Sequence, residues 1–174
     1  RNIHTDDPDR SSTANAIATD GDAHITIVRN VFDNVDHALL LKNESDAIFE
    51  NNVVRRATLG AINFREPLRP DVDAGSDILC RGNIFIDNAV VFRFPNHLRV
   101  GGGAPNIVAD RNIMPAAAHI YGSNNLDLDP AFVDAEGGDY RLLPNSPAMG
   151  SGINGADMGA AVPQGATVSG EPPA

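Results

Sequence analysis

Four short stretches of the chain alternate apolar and polar residues around one asparagine: HITIVRNVF, AIFENNVV, ILCRGNIF and IVADRNIM. With Asn30, Asn52, Asn83 and Asn112 at the common position, Ile25, Ala47, Ile78 and Ile107 stand five residues earlier. Ile27, Phe49, Cys80 and Ala109 stand three earlier, and Phe32, Val54, Phe85 and Met114 two later. A period of two places these residues on one face of a strand, turned toward a core. Repetition of the whole pattern predicts a solenoid, in which each unit buries its apolar face only by stacking on the next. The predicted fold is all-β, a right-handed parallel β-helix. Residues 46–65 form one coil of it, with a second short apolar strand at 61–64 after a polar turn.

Asparagine suits the corner between two strands. It tolerates the left-handed backbone region, and its amide both donates and accepts. Amides stacked about 4.8 Å apart can bond coil to coil as a ladder. A second asparagine, Asn34 or Asn88, is expected to end the turn that follows.

The ladder positions are spaced by 22, 31 and 29 residues. The shortest spacing is a bare coil. The longer two carry insertions at 66–76 and 95–105, at the same phase of the repeat, so both should emerge on one side of the solenoid, where repeat proteins place binding surfaces. Past Tyr121 the period dissolves, and a segment up to residue 160 is expected to cover the open end of the last coil. Residues 1–160 thus read as one domain whose N-terminal coils are missing or supplied by another segment. Residues 161–174, rich in Pro and Gly, read as a tail.

Charge and composition narrow the functional classes. The net charge of −10 argues against a nucleic-acid partner or an anionic membrane surface, since either calls for a basic face. No apolar run is long enough to span a bilayer. Cys80 is the single cysteine, which leaves no internal disulfide and predicts a buried thiol. There is no G-x-S-x-G, and Gly101, Gly102 and Gly103 precede neither the lysine nor the helix of a phosphate loop. His4, His24, His37 and His119 lack metal-ligand spacing.

The C-terminal part carries a recognisable set of motifs: Asp129-Pro130-Ala131-Phe132-Val133-Asp134, Gly138-Asp139-Tyr140-Arg141-Leu142, Asn145-Ser146-Pro147-Ala148-Met149 and Asp157-Met158-Gly159-Ala160. These resemble the closing segment of secreted bacterial right-handed β-helix proteins of the pectate-lyase-like superfamily. Met149 and Gly150 stand where that family often has Ile and Asp. The resemblance implies a β-helix outside the cell or at its surface and a polysaccharide partner. Catalytic and purely structural members share these motifs.

One constellation fits carbohydrate chemistry. Lys42, Arg65 and Arg93 fall at similar phases of three successive coils, and the insertions add Arg69, His97 and Arg99 with Glu66, Asp71 and Asp73. A lyase acting on a uronic-acid polymer needs cations to neutralise the sugar carboxylate and a base to take the adjacent proton. Lys42, Arg65, Arg93 and His97 are the candidate catalytic residues, and Glu66, Arg69, Asp71, Asp73 and Arg99 the candidate substrate-binding ones. Asp71 and Asp73 could also ligate calcium, although Pro70 and Gly75 mark a turn there. Two alternatives stay open: a solvated face on which cations flank carboxylates, and a non-catalytic structural, adhesive or assembly module that stacks another chain or segment on its open N-terminal coil.

Overall fold

A computed structural model of the chain describes residues 14–20, 22–42, 45–65, 76–94 and 105–161. It is mostly β, with most strands gathered into three parallel sheets and with β13 (Phe132–Asp134) and β14 (Asp139–Leu142) forming a separate antiparallel pair. The first sheet holds β1 (Asn15–Ala18), β4 (His37–Lys42), β7 (Ile62–Arg65) and β10 (Phe92–Arg93), in that order. The second holds β2 (His24–Val28), β5 (Asp46–Glu50), β8 (Asp77–Arg81), β11 (Asn106–Asp110) and the short β12 (Gly122–Ser123). The third holds β3 (Val31–Val35), β6 (Val53–Ala57) and β9 (Ile84–Ile86). From β1 to β11 consecutive strands enter different sheets, and strands one repeat apart pair with each other.

Registers follow the sequence alignment residue for residue. Ile25 pairs with Ala47, Ala47 with Ile78 and Ile78 with Ile107; one column over, Ile27, Phe49, Cys80 and Ala109 pair in turn. Phe32, Val54 and Phe85 do the same in the third sheet. Their side chains fill one core, where Phe32, Phe49 and Phe85 stack with ring centroids 5.9 and 6.1 Å apart. Such ring pairs contribute beyond their buried area. Cys80 is wholly buried within it, and burial pushes its thiol pKa up, away from reactivity.

The asparagines form a continuous ladder of side-chain and backbone bonds. Asn52 Oδ1 accepts from the backbone N–H of Asn30 at 2.9 Å, Asn83 Oδ1 from that of Asn52 at 2.9 Å, and Asn112 Oδ1 from that of Asn83 at 2.9 Å. Each Nδ2 donates to a carbonyl of the preceding repeat: Asn52 to Ile27, Asn83 to Phe49 and Asn112 to Cys80. A fifth rung, Asn125, accepts from the Asn112 N–H at 3.0 Å, so the repeat continues past the point where its sequence signal fades.

The corner differs from the sequence expectation in one respect. The left-handed residue is the one before each rung, namely Arg29, Asn51, Gly82, Arg111 and Asn124, with φ of 58°, 51°, 65°, 51° and 56°. The rung keeps its amide free to bond up and down the stack while its neighbour makes the bend, which splits each alternating stretch into two strands of different sheets. Arg29 is exposed, and a non-glycine residue in that region is strained. Arg29→Gly is therefore expected to raise the unfolding free energy by about 0.5 kcal/mol, the relief outweighing glycine's chain entropy, as measured by chemical denaturation.

The C-terminal segment also departs from expectation. Residues 122–126 stack on the last coil, but from Phe132 onward the segment lies along the outward face of the third sheet. Val53, Ile84 and Ile113 on that face pack with Tyr140, Ala148 and Met158 in a second apolar core, flanked by Val31 and Leu126. The third-sheet strands are apolar on both faces, as in Val53-Val54 and Ile84-Phe85, so their outer side also requires cover. Gly159 allows the closest approach. Its N–H donates to the Gly82 carbonyl at 2.6 Å, and a Cβ there would lie 2.7 Å from Ile84 Cδ1. The end of the stack receives the 3-10 helix Ala116–Tyr121, which buries Ala118 in the main core.

A charged cluster fastens this segment to the sheet. Arg56 forks onto the buried Asp33 carboxylate with bonds of 2.9 and 2.7 Å. Buried Arg55 reaches Asp87 at 3.1 Å, the Ala135 carbonyl at 3.0 Å, and Glu136. Tyr140 is buried beside them. Burial first, and then the neighbouring Asp33 charge, push its hydroxyl pKa up to about 12.

Candidate functional site

The outward face of the first sheet carries the cations singled out in the sequence. In β4 and β7 the residues Leu39, Leu41, Ile62 and Phe64 belong to the core, so Lys42, Asn63 and Arg65 alternate onto the other side, and Arg93 follows core residue Phe92 in β10 in the same way. Lys42 and Arg65 are register partners on neighbouring strands. Arg93 is not in line with them. Its partner is Asn63, two residues short of Arg65, which corrects the expectation of one common phase. The three cations form a bent row: Lys42 beside Arg65, and Arg93 diagonally across the next strand.

Their electrostatic setting is unusual for this acidic chain. Arg55, Arg56, Arg81, Arg111 and Arg141 each pair with a carboxylate. Among the described residues, Lys42, Arg65 and Arg93 pair with none. Among the described residues, cations paired with carboxylates are thus found on the second and third sheets, in Arg81 with Glu50 and Arg56 with Asp33. On the second sheet, for example, Arg81 donates to Glu50 at 2.8 Å, while Asp110 pairs with its neighbour Arg111. Like charges side by side on adjacent strands repel, and an anion set between them would relieve that repulsion.

Two further polar residues belong to this face, Asn63 and His37, exposed by 1% and 0%. Arg93 Nη1 donates to Asn63 Oδ1 at 3.4 Å, Asn63 Nδ2 contacts His37 Nε2 at 3.3 Å, and His37 Nδ1 donates to the Gly60 carbonyl at 2.8 Å. The sequence held a signal for both. Asn63 is the polar member of an apolar strand, and His37 opens a run of Ala, Leu, Leu and Leu. Gly60 lies beneath the stem of Arg93, and a Cβ there would stand 2.9 Å from Arg93 Cβ.

The remaining candidates, His97, Glu66, Arg69, Asp71, Asp73 and Arg99, lie outside the described residues, as do all but the last residue of each insertion. The calcium expectation rested on Asp71 and Asp73. Among the described residues no group of three or more His, Cys, Asp or Glu side chains is placed to hold a metal ion. None of their helices is long and apolar enough to cross a membrane. The chain matches no protein family, and no curated protein or solved structure is similar to it.

Proposed function

We propose that the three sheets wrap as a right-handed parallel β-helix of the pectate-lyase-like kind and that the outward face of the first sheet binds a polyanionic polysaccharide outside the cell. The observation that carries this reading is the set of Lys42, Arg65 and Arg93, gathered on one face of a chain of net charge −10 and paired with no carboxylate among the described residues. Sugar units along a polymer recur at a spacing close to that of stacked strands, so a ribbon of uronates could lie across β4, β7 and β10.

The reaction that suits this face is β-elimination. Arg65 and Arg93 neutralise the uronate carboxylate, which acidifies the carbon next to it. A base removes that proton, the electron pair forms the new double bond, and the glycosidic C–O bond at the adjacent carbon breaks. The leaving oxygen then takes up a proton. Arginine stays protonated throughout, so Lys42 is the described cation that can exchange a proton.

The test is to incubate the protein with polygalacturonate, alginate and glycosaminoglycans and to follow the absorbance of the unsaturated product. Expected is a rise on one polymer that weakens as salt is added, because the contacts are between charges and are partly exposed. Absence of both product and binding on every polymer would overturn the proposal.

A further inference from the structure

Buried polar groups beneath a half-buried cation are expensive to maintain unless they set its geometry, and the chain from Arg93 to Gly60 has a direction that can be worked out. A guanidinium only donates, so the atom of Asn63 facing Arg93 is its oxygen. The amide nitrogen is then left to face His37 Nε2, which must accept. A carbonyl only accepts, so His37 Nδ1 carries the proton and gives it to Gly60. Every member has one role, and the series ends on backbone that cannot move independently of the sheet: the Ala61 N–H, next to Gly60, donates to the Val90 carbonyl at 2.9 Å, and the Ile62 N–H to that of Val91 at 2.9 Å. The stem of Arg93 is meanwhile seated where Gly60 has no side chain.

We infer that His37 and Asn63 are positioning residues for Arg93: they lock its guanidinium in one orientation on the outward face so that it meets an anionic ligand ready formed. The anion being a uronate rests on the function proposed above; the positioning does not. Preorganisation of this kind strengthens binding by reducing the side-chain freedom lost when the ligand arrives. It also explains why Asn63 stands between apolar Ile62 and Phe64, and His37 before Ala38 and Leu39.

Side-chain NMR reads the arrangement without any substrate. In the unmodified protein, Arg93 Nε–H is expected to show order close to that of the backbone, unlike that of exposed Arg29, and His37 to show the Nδ1-protonated tautomer. Asn63→Leu, and His37→Phe, which keeps a ring but can neither donate nor accept, should reduce Arg93 to the mobility of Arg29. Because a buried substitution can disturb folding, Gly60→Ala provides a second route. It leaves both polar residues in place, pushes on Arg93 Cβ, and should likewise loosen or shift Arg93 while the backbone spectrum is retained. Arg93 order unchanged in folded Asn63→Leu or Gly60→Ala protein would overturn the inference. With tri-galacturonate as probe, affinity should fall on the order of tenfold in each variant. If the unmodified protein fails to bind tri-galacturonate, the uronate reading falls, and the NMR comparison still decides the positioning.

Discussion

Asn83→Ala is expected to lower the unfolding free energy by about 3 kcal/mol, read as a shift of the urea midpoint at constant slope. Asn83 is wholly buried and at the centre of the ladder. Its oxygen accepts from the backbone and side-chain nitrogens of Asn52 at 2.9 and 3.2 Å, and its amide donates to the Phe49 carbonyl at 2.7 Å. Alanine would strand those three groups in a dry interior, together with Asn112 Oδ1, which loses one of its donors. Each stranded group incurs its own desolvation penalty, and the loss of a net hydrogen bond is the smaller part. Asn30 serves as the control. It is exposed, with nothing in the ladder donating to its oxygen, so Asn30→Ala should lose under about 1 kcal/mol. Equal losses at the two positions would show that the ladder's stability does not come from buried satisfaction.

Under the proposed β-elimination, Lys42→Ala is expected to lower kcat on the cleaved uronate polymer by about a hundredfold, with little change in KM, the range general acid–base groups typically supply. Arg93→Ala should act differently and raise KM as well, because its positive charge is in place before the reaction begins. Lys42 is half-buried and continues β4 directly from the core residue Leu41, so its backbone position is well fixed. Lys42→Arg keeps the charge but cannot give up a proton at working pH, and should remain as slow as the alanine variant. Full activity in Lys42→Arg would move the base to another residue and leave Lys42 as a charge alone.

These two predictions stand on parts of the molecule that were unequally legible in the sequence. The ladder could be read directly, because a short repeated unit must present the same residues to the same neighbours: Ile25 over Ala47 over Ile78 is both an alignment and a register. The outer packing of the third sheet had a weaker signal. Pairs such as Ile84-Phe85 are apolar on both sides, yet only the folded chain shows that Tyr140, Ala148 and Met158 cover the outward one. Residues near the ends of β7 and β10 were harder still. The turns that lead from the asparagine rungs into these strands differ in length, so similar phases in the sequence did not give the register, in which hydrogen bonding aligns Arg93 with Asn63.

What the sequence alone determined is therefore whatever depends on periodicity within a strand: the all-β class, the asparagine rungs and the inward columns. Alternation is a local property of the backbone, and each residue's face follows from its parity. The tertiary structure decided what depends on which strands meet. It offset Arg93 by two residues, brought His37 across 26 residues to Asn63, and turned the closing segment onto the side of the third sheet. Register between strands is chosen by the best simultaneous fit of core side chains and backbone bonds over the whole stack, and no single stretch of sequence contains that sum.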